Sequence, residues 1–203
     1  MHKGKFITIY GINNIGKTTQ SKLLVKRLKN AGYKAKYIKY PVYDVKPSGV
    51  YINKILRSSN QQHIPEDELQ LWFVANRYQY EPILRKFLER GYIVVAEDYA
   101  GTGIAWGTAK GLDEKWVEGI NSKVLKEDLS IMLKGKRFLH AKEETHVHEQ
   151  DDALSEKCLK VHDRLAGKYG WHVVNLQKNI EDTAEIIWKI AKKSIVDVWK
   201  DGI

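Results

Sequence analysis

Nine residues near the amino terminus, Gly11-Ile12-Asn13-Asn14-Ile15-Gly16-Lys17-Thr18-Thr19, carry the spacing G-x-x-x-x-G-K-[ST]. Chemistry on a polyphosphate needs these residue types. Gly11 and Gly16 allow a tight turn whose backbone N–H groups surround a β-phosphate, and the helix opening at Lys17 adds its positive end. Lys17 reaches the β- and γ-phosphates, and Thr18 offers a hydroxyl to Mg²⁺. The pattern arises by chance in roughly 1% of chains of this length, and here it directly follows an apolar run and opens a helical one. The segment therefore reads as a nucleoside triphosphate site. Kinases, GTPases, ATPases and helicases all use such a site, so the acceptor must be read elsewhere. No N-K-x-D guanine motif is present. A second run, Tyr92 to Asp98 (YIVVAED), ends in two acids and leads into Tyr99 to Gly107, a glycine-rich stretch with two aromatics, expected to be a loop suited to a small flat ligand.

Five short runs rich in β-branched and aromatic residues are the expected strands: Lys5 to Tyr10, Lys36 to Tyr40, Tyr92 to Ala96, Leu129 to Leu133 and Trp171 to Leu176. Helical periodicity covers Lys17 to Ala31, Glu66 to Arg90, Asp151 to Tyr169 and Glu181 to Trp199, with Pro82 expected to kink or split the second. Strands alternating with helices imply right-handed βαβ units and a parallel sheet covered on both faces. With 203 residues and no repeat or linker, one domain over 1–203 is expected.

Hydrophobic residues are 43% and charged residues 29% of the chain, an ordinary globular balance. No apolar run approaches the ~18–20 residues that span a bilayer, and the first residues lack a signal-peptide core. Cys158 has no cysteine partner for a disulfide or zinc knuckle. These features point to a cytoplasmic protein with no membrane partner. The formal charge of +9 favours a polyanionic ligand, but the lysines are scattered, so nucleic acid is not the expected partner.

Three segments resemble the thymidylate kinase family: FITIYGINNIGKTTQSKLLVKRL at the glycine loop, LQLWFVANRYQYEPILRKFLERGYIVVAEDYAGTGIAWGTAKG in the middle, and ALSEKCLKVHDRLAGKYGWHVVNL near the end. The resemblance runs from Lys5 to about Ala191. It implies a P-loop NTPase-type α/β fold with five parallel strands in the order 2-3-1-4-5 and a short lid at about 136–152. It also implies use of ATP and Mg²⁺, transfer of the γ-phosphate to dTMP to give dTDP, and a homodimer. Phe73 and Arg77 fall on the family's thymine-stacking and thymine-bonding positions. Trp106 falls on the aromatic that leaves no room for a 2′-hydroxyl, with Tyr99, Thr102 and Gly103 in the same substrate-binding segment. Glu97 stands for the acid that organises Mg²⁺ together with Thr18.

Several charged family positions are altered. Asn13 replaces the phosphate-loop aspartate, Asn14 an arginine of some members, Tyr43 the arginine after Phe-Pro, and Glu97-Asp98 the Asp-Arg pair. The family's lid arginine falls near His148. Loss of an arginine from phosphoryl transfer is worth ~10³–10⁵ in rate. The expected substitutes are Lys39, Lys46, Lys136, Lys142 and above all Arg137, taken as catalytic. His140, His146 and His148 with Glu143, Glu144 and Glu149 read as a solvated charged face, not as a zinc site. Two alternatives stay open. One is a deoxynucleoside kinase with a neutral acceptor and Glu97 or Asp98 near its 5′-hydroxyl. The other is a nucleotide-binding paralogue with weakened catalysis.

Overall fold

The computed structural model describes residues 4–57, 64–137 and 152–200. Its sheet has five parallel strands, β1 (Lys5–Tyr10), β2 (Ala35–Lys39), β3 (Ile93–Glu97), β4 (Leu129–Lys134) and β5 (His172–Asn175), in the order β2-β3-β1-β4-β5. Each expected strand is present within one or two residues of its expected ends. Around the sheet lie α1 (Lys17–Asn30), α2 (Ser48–Leu56), α3 (Glu66–Glu89), α4 (Ala100–Ala109), α5 (Glu114–Asn121), α6 (Asp152–Tyr169) and α7 (Ile180–Lys200).

Alternation along the central strands builds a core on each face, as a fully covered parallel sheet requires. Ile7, Ile9, Ile93 and Val95 pack with Leu24, Val25 and Leu28 of α1 and Ile187, Ala191 and Ile195 of α7. The intervening Phe6, Tyr10, Val94 and Ala96 pack with Tyr80 and Leu84 of α3. A smaller cluster, Ile52, Ile55 and Leu56 of α2 with Leu69, Trp72 and Phe73 of α3 and Tyr43, joins the two helices.

Two expectations are corrected. Pro82 does not split α3, which runs on for seven more residues to Glu89. Its ring removes the bond to the Tyr78 carbonyl, but both Pro82 and Tyr78 are exposed, where water can satisfy that oxygen, while Tyr80 and Leu84 anchor the buried side. The glycine-rich stretch after β3 is α4 and not a loop. Each helical glycine costs roughly 1 kcal/mol against alanine, yet packing requires them here. A methyl group on Gly101 would lie 2.5 Å from Trp171 Cη2, one on Gly103 2.8 Å from Arg77 Nη2, and one on Gly107 3.3 Å from Val117 Cγ2. The helices α2 and α5, only eight or nine residues long, carried too few periodic positions to be read in advance.

Candidate active site

The carboxyl ends of β1, β2 and β3 open into one cavity of about 1010 Å³, lined by residues 13–20, Lys39, Tyr40, Tyr43, Arg57, Phe73, Arg77, Glu97–Tyr99, Trp106 and the turn before α7. At one end the phosphate loop bends through Asn14 and Gly16 in left-handed backbone (φ 60° and 89°) and delivers the first turn of α1, which has neither an acidic residue nor a side-chain cap. Its N–H groups are therefore left for an anion. Lys17 is almost fully buried, and its Nζ donates to the carbonyls of Gly11 and Ile12, both at 2.8 Å.

Two acids follow β3. Register pairs Glu97 with Ile9 of β1 and Lys39 of β2, which fixes it beside the phosphate loop. Its buried carboxylate accepts from Thr18 Oγ1 at 2.9 Å and from the Tyr37 hydroxyl, and meets Lys39 Nζ at 3.4 Å. Burial, then the hydrogen bond to Glu97, holds the Tyr37 phenol well above its ordinary pKa, so it stays a donor. Desolvation pulls Lys39 down, but Glu97 and Asp98 outweigh it and the ammonium ends above its usual value. Asp98 sits in left-handed backbone (φ 61°), accepts from Thr102 Oγ1 at 2.8 Å, and faces Lys17 Nζ at 3.6 Å. Burial raises its carboxyl above the usual carboxylate range, against the downward pull of Lys17.

At the other end, α3 presents Glu66, Gln70, Phe73 and Arg77 at spacings of four, three and four, one stripe of a helix facing the cavity. Arg77 is held rigidly: Nη1 donates to Asn121 Oδ1 at 2.8 Å and Nη2 to the Tyr99 carbonyl at 2.9 Å. Burial depresses its guanidinium pKa, and its Nε has no hydrogen-bond partner. Asn76 secures the segment after β2: Val42 N–H donates to its Oδ1 at 2.8 Å, and its Nδ2 donates to Val42 O at 2.9 Å. That clamp sets Tyr43, over whose ring the Arg57 guanidinium stands at 5.8 Å.

Residues 9–187 match the family model described as thymidylate kinase. The chain belongs to the thymidylate kinase family. Among curated relatives it is 28% identical over 200 residues to the human thymidylate kinase, covering 95% of this chain and 92% of that one. It is 28% identical over 198 residues to that of Plasmodium falciparum, covering 96% and 93%. A solved thymidylate kinase from Candida albicans superposes with a TM-score of 0.76 at 22% identity, over 94% of this chain and 92% of that chain, so the two share the P-loop NTPase fold.

In this thymidylate kinase family member, the cavity brings together Asn13, Asn14, Ile15, Gly16, Lys17, Thr18, Thr19, Tyr43, Phe73, Arg77, Glu97, Asp98, Tyr99, Thr102, Gly103 and Trp106. Gly11 contributes its carbonyl to Lys17 from behind the loop. Arg137 does not line the cavity, and its Nη1 pairs with Asp152 Oδ1 at 2.6 Å. Lys46 also lies outside the lining. The lid candidates Lys142, His140, His146 and His148 and the neighbouring glutamates Glu143, Glu144 and Glu149 fall outside the described residues. Sequence reading missed Tyr37, Gln70, Asn76 and Arg57. For Gln70 a signal existed, because polar Glu66, Gln70 and Arg77 share a helical stripe with Phe73. Tyr37 reaches Glu97 across β2 and β3, and no local pattern announces that.

Arg77 supplies a direct test of the pocket. Arg77→Ala is expected to weaken a pyrimidine monophosphate by roughly tenfold or more, since a buried charged donor is lost, and to leave ATP affinity within a factor of about two. Calorimetry with each ligand checks this. Equal loss for both would make Arg77 structural.

Proposed function

We propose that the protein, acting as a single nucleotide-kinase domain, transfers the γ-phosphate of ATP to dTMP to give dTDP. The observation that carries this reading is one cavity with a phosphate cradle at one end and an aromatic and arginine pocket at the other, large enough for two nucleotides. Lys17 and the loop N–H groups are placed to offset charge on the transferring phosphoryl group. Thr18 Oγ1 and Glu97 Oε1, 2.9 Å apart, are adjacent hard oxygen donors that suit Mg²⁺, directly or through water. When bound, Mg²⁺ supplies charge neutralisation at the β- and γ-phosphate oxygens. Phe73 would stack on the base, Arg77 would hydrogen-bond its edge, and Trp106 would close the sugar edge. Asn13, Tyr43 and Thr102 would line the acceptor side. No general base is demanded, because the acceptor phosphate is already ionised. The neutral-acceptor alternative is not favoured, since Glu97 is occupied by Thr18, Tyr37 and Lys39, and Asp98 by Thr102 and Lys17.

Among the described residues no helix is long and apolar enough to cross a membrane. We extend the reading to a cytoplasmic homodimer with no nucleic-acid partner. Leu71 and Tyr78, exposed two turns apart on α3, support pairing of two copies. Sedimentation at twice the chain mass is expected, and a monomer at micromolar concentration would remove that part.

A coupled ADP-release assay over dTMP, dUMP, dCMP, UMP and thymidine tests the function: dTMP should be the best acceptor, and faster turnover of thymidine would overturn the reading. Trp106 should set sugar choice. It is only 8% exposed, and truncation to alanine would cost about 3–5 kcal/mol of stability, so Trp106→Leu is the better variant. Its ribonucleotide-to-deoxyribonucleotide ratio is expected to rise roughly tenfold, and an unchanged ratio would refute the steric role.

A further inference from the structure

Gln70 is completely buried on α3, and its two amide ends are not equivalent. Nε2 donates to Glu66 Oε1 at 2.8 Å, and Glu66 Oε2 receives Lys110 Nζ at 2.6 Å. An ionised carboxylate only accepts, so the amide nitrogen must face Glu66 and the oxygen must point the other way. That oxygen, Oε1, has no hydrogen-bond partner. Buried acceptors without partners are rare, and one on a cavity-lining residue suggests a ligand donor. The absent side chain of Gly103 makes the arrangement possible: a methyl group there would lie 3.0 Å from Gln70 Oε1 and 2.8 Å from Arg77 Nη2. An acceptor and a guanidinium donor thus flank the same small residue, on the helix face that also carries Phe73.

We propose that Gln70 accepts the N3–H of the acceptor base and, beside Arg77, makes the pocket selective for an imide pyrimidine, thymine or uracil, over cytosine. This rests on the reading of the acceptor as a pyrimidine monophosphate. The imide edge offers an acceptor, C4=O, next to a donor, N3–H, and so complements a donor–acceptor pair. Cytosine offers the reverse order and would set its N3 lone pair against Gln70 Oε1. A site built to bond one edge rejects the other strongly, because its buried groups are then left unpaired. Glu66 is the positioning residue, since without its charge the Gln70 amide is free to turn over and present its nitrogen.

The test is calorimetric binding of dTMP, 3-methyl-dTMP and dCMP to the full chain, with ATP affinity and thermal melting as controls. Wild type should prefer dTMP over both others by roughly tenfold or more. Gln70→Leu should bring all three within roughly threefold of one another with ATP affinity unchanged, and Glu66→Gln should raise dCMP relative to dTMP. The 3-methyl ligand keeps the question answerable in wild type even if a variant folds poorly, since binding of 3-methyl-dTMP equal to that of dTMP overturns the proposal outright. Wild-type ratios surviving in a folded Gln70→Leu overturn the Gln70 assignment alone. Failure of wild type to bind dTMP at all overturns this proposal together with the functional reading beneath it.

Discussion

Lys17→Ala is expected to lower ADP release on the order of 10³-fold or more, the scale of a cation removed from a transferring phosphoryl group. The contacts of Lys17 also make it a stability residue. Its ammonium satisfies the Gly11 and Ile12 carbonyls and faces partly buried Asp98 at 3.6 Å. Removing it leaves a partly buried carboxylate without its nearest cation, which costs at most about 3–5 kcal/mol, the penalty for breaking a fully buried pair from one side. The variant should therefore melt cooperatively but earlier than wild type. Lys17→Ala combined with Asp98→Asn separates the two roles: stability should recover, because the uncompensated charge is gone, while turnover should stay low. A Lys17→Ala enzyme that keeps more than a tenth of wild-type ADP release would remove Lys17 from the chemistry.

Asp98→Asn alone should act in the opposite direction. Asp98 occupies a position that is arginine in the family pattern, and it faces the same cavity that would take the acceptor phosphate. Two unit charges ~5 Å apart at an effective dielectric near 20 interact by roughly 3 kcal/mol, an upper figure for an anion facing Asp98 unshielded. The structure lowers that penalty by pairing Asp98 with Lys17 and by burial that raises its carboxyl pKa. Part of it should remain, so Asp98→Asn is expected to lower the KM for dTMP by roughly tenfold with kcat kept or increased. Asparagine suits the test, because it tolerates the left-handed backbone at this position and keeps an oxygen for the Thr102 hydroxyl. Steady-state kinetics with dTMP and thymidine decide it. A collapse of turnover would mean that the carboxylate itself takes part, as a base toward a hydroxyl acceptor requires.

The structure distributes the expected sources of positive charge for the acceptor phosphate unevenly. Lys39, Lys46 and the lid were the expected substitutes. Lys39 does line the cavity but is drawn to Glu97, Lys46 lies outside, and Arg137 is drawn to Asp152. Among the described residues Arg57 stands over the ring of Tyr43, the position where the family pattern has an arginine. Packing of α2 on α3 through Ile52, Leu56 and Leu69 brings Arg57, just past the end of α2, over that ring.

What the sequence determined by itself is local. The phosphate loop was legible because its chemistry lies in nine consecutive residues that leave a strand and run into the first turn of a helix. The five strands and the long helices were legible because apolar periodicity is a property of neighbours in sequence. Phe73 and Arg77 could be paired because one helical turn separates them. The tertiary structure decided what depends on distant contacts. Helix α4 forms against its own glycine content because Arg77 of α3, Val117 of α5 and Trp171 just before β5 need the space where side chains would be. Glu97 is oriented by Thr18, Tyr37 and Lys39 from β2 and α1, and Gln70 by Glu66 on its own helix and Lys110 just beyond α4. A propensity or a motif describes a residue among its chain neighbours, whereas the direction of a buried carboxylate or amide is set by whichever donors the folded chain brings within about 3 Å of it.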